Sequence, residues 1–428
     1  MTIPPLLARL LIWSGATRLM PGLQRRLDGG IDYLPYYSDR LLTSPLLELQ
    51  RLASLVAPES PEVIDLTLSA PYFDAPTPPA TLRIPHDRRG WPDLAGLPEL
   101  RAAVADYLHA ENDLAISSAE EILITAGALG AAQVIFDAFV NRGSAVALLD
   151  PVSPMYPLLA RTRGAAIRWI GTRNDQGRLR IRLDHLSRRI GGARLLVLTS
   201  PNNPDGGVIS AEDLEQVAWW ANRLDVLILS DEVFSRFALD GEAVSIGRFE
   251  RARRRTLTVG SVSKSHALAW ARVGWIAAHR HLLRPCLATA ALRCPFVSTL
   301  SQQIAANALR GSSGETFCQQ LLTRRRHVFE RLRAAGLQAD WPAGGFYLWL
   351  RVPTGWRDGQ DFADSLLRTC RVRVAPGDLF GPSGTARVRL SLLGEDGRLD
   401  EGIHRLVDLV KGERTKPSGL SLRVRLAG

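Results

Sequence analysis

Short runs of apolar residues recur along the middle of the chain, and they constrain its fold more than any other feature. Their apolar residues are continuous rather than alternating, as expected of strands that are covered on both faces. Helical patterns such as Leu97–His109 and Gly130–Phe139 precede or separate them. Strands that alternate with helices predict an α/β fold with a mainly parallel sheet wrapped by helices. The runs are Ile122–Thr125, Ala145–Leu149, Leu195–Thr199, Val226–Leu229, Thr256–Val259 and Val273–Ala278.

The pattern differs on either side of this region. Helical patterns at Leu6–Trp13 and Pro45–Val56 come before a strand-like segment, Val63–Leu68. After about residue 300, long helices precede short strands and a closing helix. These later segments are Ser301–Leu309, Cys318–Ala334, Gly345–Val352, Val372–Ala375, Arg387–Leu392 and Leu399–Val410. We therefore predict an N-terminal extension with the start of a small domain (1–75), a large domain (76–300), a C-terminal small domain (301–412) and a basic tail (413–428).

Composition limits the partners and the location of the protein. A chain of 428 residues with 22% charged residues is typical of a globular protein of two domains. It has no apolar run of about 18 residues, so we expect no membrane span. Arg9 interrupts the apolar start and no cleavage site follows, so we expect the cytoplasm. The net charge of +10 could attract nucleic acid, but the arginines are spread along the chain, and we expect no such partner.

Lysine is scarce in this chain: three of the 53 basic residues are lysines. Lys411 and Lys416 lie in or beside the tail, where an enclosed pocket is not expected. If the protein forms a Schiff base, Lys264 is therefore the candidate by elimination. The four cysteines form no Cys-x-x-Cys pair, so we expect no metal site.

Residues able to bind a phosphorylated cofactor follow the predicted strands. Gly127 turns a strand into a helix, whose first N–H groups can bind phosphate, although such turns are also common without a ligand. Asn203, in Ser200-Pro-Asn-Asn-Pro-Asp-Gly, can project a hydrogen-bonding side chain, or can simply belong to a rigid turn. Ser261 and Arg272 flank Lys264, and a partly desolvated lysine amine forms imines with aldehydes.

Asp231 and Glu232 directly follow an apolar strand. A carboxylate at the inner end of a buried strand is costly unless it meets a positive partner. A protonated pyridine nitrogen is one such partner, and an arginine in a salt bridge is the alternative.

The order of these motifs resembles that of the class I/II aminotransferases, which are aspartate-aminotransferase-like enzymes dependent on pyridoxal phosphate (PLP). Asn-Pro-x-Gly begins at Asn203, Asp-Glu follows it by 28 positions, and Ser-x-Ser-Lys ends 33 positions later at Lys264. The segments LPELRAAVADYL, GGFYLWL, APGDLFG and VRLSLL resemble further signatures of the family. The resemblance implies PLP-dependent transferase fold type I, with a mainly parallel seven-stranded sheet flanked by helices and a smaller α+β domain. It also implies PLP as cofactor and a homodimer with shared active sites.

The resemblance also implies roles for individual residues. Lys264 would be the catalytic Schiff-base lysine and the proton shuttle, and Asp231 would keep the pyridine nitrogen protonated. Asn203 would bind the ring hydroxyl, and Arg389 would bind the substrate carboxylate through two hydrogen bonds. The remaining implied contacts are the phosphate ligands Gly127, Ala128, Leu129, Ser261 and Arg272, the ring neighbour Phe234 and the substrate neighbour Ala70.

Four positions depart from the family pattern. Ser153 replaces the aromatic residue that stacks on the pyridine ring, and Phe234 replaces a tyrosine. Trp91 replaces the tyrosine that the partner subunit sends to the phosphate, and a Ser-Ala-Pro segment at Ala70 replaces glycine-proline. Tyr156 is a candidate to replace the missing stacking ring.

We therefore predict an aminotransferase that moves an amino group between an amino acid and a 2-oxo acid, with Lys264 as the reacting lysine. One alternative is a PLP-dependent lyase, cyclase or synthase on the same fold, which would eliminate or replace a substituent. A non-catalytic regulatory or binding protein of the same fold is the alternative of another class.

Overall fold

The structure is a computed structural model that describes residues 61–71, 90–311 and 315–415. The helical patterns at Leu6–Trp13 and Pro45–Val56, and the basic tail beyond residue 415, lie outside the described residues. None of the helices within the described ranges is both long and apolar enough to cross a membrane.

The strands are numbered in chain order from the first described residues. Four of them, β1, β10, β12 and β13, are two-residue segments. The strands are β1 (Ile64–Asp65), β2 (Ile122–Thr125), β3 (Ala145–Asp150), β4 (Ala166–Asp175), β5 (Arg178–Ile181), β6 (Leu195–Thr199), β7 (Leu227–Asp231), β8 (Thr256–Ser261), β9 (Gly274–Ala278), β10 (Ala339–Asp340), β11 (Tyr347–Arg351), β12 (Val372–Arg373), β13 (Ala375–Pro376) and β14 (Arg387–Ser391).

The α-helices are numbered in the same way, and short 3₁₀ turns connect several of them to strands. The helices are α1 (Pro98–Asn112), α2 (Gly127–Phe139), α3 (Met155–Thr162), α4 (Leu186–Ile190), α5 (Ala211–Arg223), α6 (Glu250–Arg253), α7 (Val262–Ser265), α8 (Arg280–Arg293), α9 (Thr299–Arg310), α10 (Glu315–Ala334), α11 (Gly359–Ser365) and α12 (Asp396–Thr415).

The largest sheet has eight strands in the order β2-β9-β8-β7-β6-β3-β4-β5. Its central pairs, from β8 through β7, β6 and β3 to β4, are parallel, whereas β9 is antiparallel to both β2 and β8. Every residue of β2, β3, β6, β8 and β9 is buried, which explains why most of these strands are apolar runs. The exception is β8, in which Thr256 and Thr258 alternate with apolar residues. The predicted α/β architecture is confirmed.

The sheet differs from the predicted seven strands by one. The hairpin of β4 and β5 adds an antiparallel strand at the edge, where Arg173 pairs with Arg180. Most residues of β4 are exposed or half-buried, and its polar residues interrupt the apolar run that identified the other strands. An edge strand faces water, so its sequence carries a weaker apolar signal than a central strand.

A second, antiparallel sheet has the order β10-β11-β14-β13 and packs with α10 and α12. Its apolar cluster includes Phe346, Leu348 and Leu390, and also Phe234 from the segment after β7. The core of this half of the molecule therefore reaches the end of the large sheet where the predicted site residues lie.

An ion pair between buried Arg325 and partly exposed Asp240 joins α10 to the segment that follows Phe237. Asp240 receives two hydrogen bonds from Arg325, at 2.8 and 2.5 Å, and one from Trp341 Nε1 at 2.6 Å. The side chain of Arg325 is 5% exposed, whereas that of Asp240 is 36% exposed. If one partner is removed, water can therefore reach the Asp240 carboxylate more easily than the Arg325 guanidinium.

We expect Asp240→Ala to lower the free energy of unfolding by about 3 kcal/mol, because it leaves a buried guanidinium without its counter-charge. Arg325→Met should cost less, because the exposed part of the Asp240 carboxylate regains water. Urea denaturation of both variants measures the difference. The matched control is Asp175→Ala in the exposed pair with Arg173, which should change stability by less than about 1 kcal/mol. Equal losses for Asp240→Ala and Asp175→Ala would contradict this account.

Candidate active site

The predicted site residues meet at one edge of the large sheet. The parallel strands β6, β7 and β8 end there, and β2 ends there too because it runs in the same direction as β8. Carboxyl ends of parallel strands are the usual place of ligand sites in α/β sheets. The sequence motifs after these strands are therefore brought together by topology.

Asp231 is the last residue of β7, and it is buried. Tyr156 donates a hydrogen bond from its hydroxyl to Oδ2 at 2.6 Å, and the N–H of Val233 donates to Oδ1 at 3.3 Å. Burial raises the pKa of the Asp231 carboxyl, and the hydrogen bond from Tyr156 opposes this shift. No arginine pairs with Asp231 among the described residues, so these residues give no support to the salt-bridge alternative.

The ring of Tyr156 does not lie free in the site, where the missing aromatic residue would stack. It is buried on α3, packs against Phe136 with the ring centroids 6.5 Å apart, and directs its hydroxyl to Asp231. Ser153 is half-buried, and its carbonyl accepts the backbone N–H of Tyr156. The sequence placed Tyr156 in the correct segment but could not reveal its bond to a residue 75 positions away.

Glu232 faces away from this site. Its carboxylate accepts hydrogen bonds from the hydroxyls of Ser230 and Ser245, at 2.7 and 2.6 Å, and from the amide of Asn112 at 2.7 Å. Burial raises the pKa of Glu232 to about 7. Its three donors are structural partners, which leaves Asp231 as the carboxylate of the site.

Lys264 lies on α7, the short helix that follows β8. Ser261 caps this helix by accepting the N–H of Ser263 at 3.1 Å. The Nζ of Lys264 donates to the carbonyl of Ser69, next to Ala70, and lies 6.0 Å from the centre of the Phe346 ring. Its pKa is lowered to about 8, first by burial and then by the positive charges of Arg389 and Arg272, while Asp231 acts in the opposite direction.

The start of α2 lies against the guanidinium of Arg272. The helix begins at Gly127, three residues before the predicted Gly130, and has neither a side-chain cap nor an acidic residue in its first turn. A Cβ on Gly127 would lie 2.6 Å from Nη2 of Arg272, and a Cβ on Gly274 would lie 2.7 Å from the N of Ala128. The free N–H groups of the first turn and the guanidinium are therefore close together, as an anion requires.

The backbone of Arg272 supports the same interpretation. Its φ of 55° lies in the left-handed region, which is unfavourable for a residue with a side chain. Its Nη1 donates to the carbonyl of Ala269 at 3.1 Å, and it has no carboxylate partner among the residues that the structure describes. Leu129, in the same first turn of α2, is 37% exposed.

Arg389 lies on β14, at the boundary between the two sheets. It is buried, and its two terminal nitrogens donate to Oδ1 of Asn203 at 2.9 Å and to the carbonyl of Thr67 at 3.2 Å. Its guanidinium lies 3.9 Å from the ring centre of Tyr347 and 5.0 Å from that of Phe380. The Nε atom is buried without a partner within the described ranges. Burial lowers the pKa of Arg389.

The other departures from the family pattern have different surroundings. Phe234 is 4% exposed and packs edge-on against Phe346 and Tyr347, at 5.2 and 6.0 Å. Trp91 is 86% exposed and stacks on Phe296 at 5.1 Å. Phe234 is thus a core residue, whereas Trp91 presents its indole to solvent.

Three charged features of this edge fit a PLP molecule. Asp231 is a buried carboxylate that makes no salt bridge with an arginine of the described residues, and a protonated pyridine nitrogen suits it. The first turn of α2, which has no side-chain cap, and the guanidinium of Arg272 suit the phosphate. Lys264 is a buried amine of lowered pKa that the charges of Asp231 and Arg272 both affect, and it is suited to an aldehyde. The residues present therefore fit the cofactor.

Comparisons with known proteins agree with this geometry. The family model described as aminotransferase class I and II matches residues 61–406. An aspartate aminotransferase of Pyrococcus abyssi is 28% identical over 387 residues, which cover 88% of this chain and 99% of that protein. An arginine–pyruvate transaminase of Pseudomonas aeruginosa is 30% identical over 346 residues, 78% of this chain and 86% of that protein. The solved aspartate aminotransferase of Thermus thermophilus with maleate has a TM-score of 0.77 at 27% identity, covering 87% of this chain and 99% of that one.

In the cofactor-free protein we expect the reactivity of Lys264 with acetic anhydride to reach half its maximum near pH 8, because a lowered pKa makes the amine neutral at lower pH. Arg389→Met should raise this midpoint by removing a positive charge, and Asp231→Asn should lower it by removing a negative one. Mass spectrometry of the Lys264 peptide measures the rate, with the exposed Lys411 as reference for reagent concentration. Shifts in the same direction for both variants would contradict the assigned electrostatics.

Proposed function

The chain belongs to the class I and II aminotransferase family, and on that premise we propose that Lys264, Asp231 and Arg389 carry its amino-group transfer. Family membership makes it a PLP-dependent aminotransferase of the α/β fold that its solved relatives share. The substrates of such an enzyme are an amino acid and a 2-oxo acid. The observation that carries the assignment of residues is that the charges of Asp231, Arg272 and Arg389 all act on the buried amine of Lys264.

The cofactor contacts follow from this arrangement. When bound, PLP supplies an aldehyde for the amine and a ring that accepts electrons from the substrate α-carbon. Asp231 would face the ring nitrogen, supported by Tyr156. Gly127, Ala128 and Leu129 would donate N–H groups to the phosphate together with Ser261 and Arg272. Asn203 would donate its amide to the ring hydroxyl, since its Oδ1 already accepts from Arg389.

The remaining steps belong to Lys264 and Arg389. With a pKa of about 8, about a tenth of Lys264 is neutral at pH 7 and more at higher pH, and the neutral Nζ can accept a proton from the substrate α-carbon and return one. Arg389, whose guanidinium lies near the rings of Tyr347 and Phe380, would bind the α-carboxylate through two N–H groups. Ala70 would line the substrate side because it follows Ser69, whose carbonyl contacts Lys264.

The substrate is proposed as a class and not as a single amino acid. The relatives named above are named for different amino acids, aspartate in one case and arginine in the other. Their sequence identities to this chain are nearly the same. An amino acid α-carboxylate, which Arg389 can bind, is the feature that such substrates share.

We expect purified enzyme with PLP to show an absorbance band that Lys264→Ala removes. One amino donor from a panel should then convert bound PLP to pyridoxamine phosphate without any 2-oxo acid being added. Lys264→Arg is the matched control, because it keeps the positive charge but cannot form an imine. Release of a new product without pyridoxamine phosphate would instead support the lyase or synthase alternative, and absence of the band in the wild-type protein would contradict the assignment.

We further propose a cytoplasmic homodimer and the division into domains at 76–300 and 301–412. Trp91, Trp270 and Leu292 expose 86%, 59% and 90% of their surface, and burying such large apolar side chains against a second subunit would be favourable. The free cysteines of the described chain fit a reducing compartment. Separate apolar clusters on the two sheets support the domain division.

We expect sedimentation equilibrium to give about twice the chain mass of 47.0 kDa. Leu292→Glu should weaken association, because it places a charge in an apolar contact. Glu330→Lys, an exposed substitution of charge on α10, is the control and should leave the mass unchanged. A wild-type protein that stays monomeric at every concentration would contradict the proposal.

A further inference from the structure

Asp150 ends β3 at the edge of the sheet that carries the site, yet the assigned chemistry does not use it. The carboxylate is 8% exposed and accepts three hydrogen bonds from Ser383, which lies 233 positions away. The N–H of Ser383 donates to both oxygens, at 3.1 and 3.2 Å, and its hydroxyl donates to Oδ1 at 2.7 Å. We call these contacts the Asp150–Ser383 clasp.

The clasp joins the large sheet to the loop that follows β13. A second bond runs beside it, from the N–H of Val152 to the carbonyl of Phe380 at 2.9 Å. Gly381, at φ 136°, lies between them, and a Cβ there would come within 2.5 Å of Asp150 Oδ1. The loop can therefore approach Asp150 this closely because residue 381 has no side chain.

No cation accompanies this buried carboxylate in the described chain. Burial raises the pKa of Asp150, and the hydrogen bonds from Ser383 oppose the shift. A buried carboxylate that relies on neutral donors is costly compared with an exposed one. An uncharged polar residue at position 150 could also bond to Ser383, and its burial would cost less free energy than that of a carboxylate. The carboxylate therefore indicates that the strength and direction of its bonds to Ser383 matter for the loop.

The loop carries Phe380 to the substrate arginine. Phe380 is 1% exposed, and its ring lies 5.0 Å from the Arg389 guanidinium and 5.4 Å from the ring of Trp349. Ala375 and Arg389 are opposite each other in the pairing of β13 with β14, so the loop begins beside Arg389. Asn203 fixes the guanidinium from β6, while the clasp fixes the ring beside it from β3.

We propose that Asp150 and Ser383 are positioning residues, which hold Phe380 against Arg389 and thereby set the affinity for the substrate carboxylate. The inference rests on the proposed role of Arg389. Neither residue contacts the reacting atoms in this account, so the effect is on binding and not on the chemical step.

The test measures KM and kcat with the amino donor, and the Kd of its α-methyl analogue by absorbance titration of the PLP-loaded enzyme. The analogue has no α-hydrogen and therefore binds without turnover. Asp150→Ala should raise KM and Kd about tenfold with kcat nearly unchanged, since it removes three hydrogen bonds to a charged group. Asp150→Asn keeps one accepting oxygen and should restore part of the affinity, and Ser383→Ala should have a smaller effect than Asp150→Ala.

Asp137→Ala is the matched control for loss of a carboxylate. Asp137 pairs with Arg163 and Arg293 at the far end of α2, so its loss should reduce stability but leave KM and Kd unchanged. The inference would be overturned if the KM and Kd of Asp150→Asn, of Ser383→Ala and of any folded Asp150→Ala equalled those of the wild type. A fall in kcat alone would overturn it as well. A wild-type enzyme that binds the analogue but transaminates no donor would contradict the proposed function instead, and the Kd values would still decide the clasp.

Discussion

The position of the active site depends on one costly feature, the burial of the Asp231 carboxylate at the end of a fully covered strand. A carboxylate so placed needs partners, and here a tyrosine hydroxyl and one backbone N–H are what the described protein provides. Neither carries a positive charge. On the proposed role of Asp231, a cationic ring would meet this electrostatic requirement, because no arginine of the described residues pairs with the carboxylate.

The order of the strands places negative and positive charges at different positions along this edge of the sheet. The parallel strand β7 brings Asp231 to the edge, and α2 and Arg272 bring positive charge to the ends of β2 and β9. Lys264 lies between them and is affected by both, so its pKa reflects burial and the balance of neighbouring charges. A molecule with a cationic end and an anionic end, linked by an aldehyde-bearing ring, matches this distribution of charge.

Much of this arrangement was predictable because its signals are local in the chain. Central strands covered on both faces produce apolar runs, and site residues directly follow them, so Asp231, Lys264 and Gly127 could be identified from the sequence. The edge hairpin of β4 and β5 could not, because water on one side removes the apolar pattern. The bonds of Tyr156 to Asp231 and of Ser383 to Asp150 join residues 75 and 233 positions apart, and no local pattern encodes them.

The replacement of a tyrosine by Phe234 has a physical consequence for Lys264. Without a hydroxyl, this ring packs edge-on into the cluster formed by Phe346 and Tyr347. The Nζ of Lys264 lies 6.0 Å from the Phe346 ring, near the limit for attraction between an ammonium and an aromatic face. The lowered pKa of Lys264 shows that burial and the positive charges of Arg389 and Arg272 outweigh any such attraction and the opposing charge of Asp231.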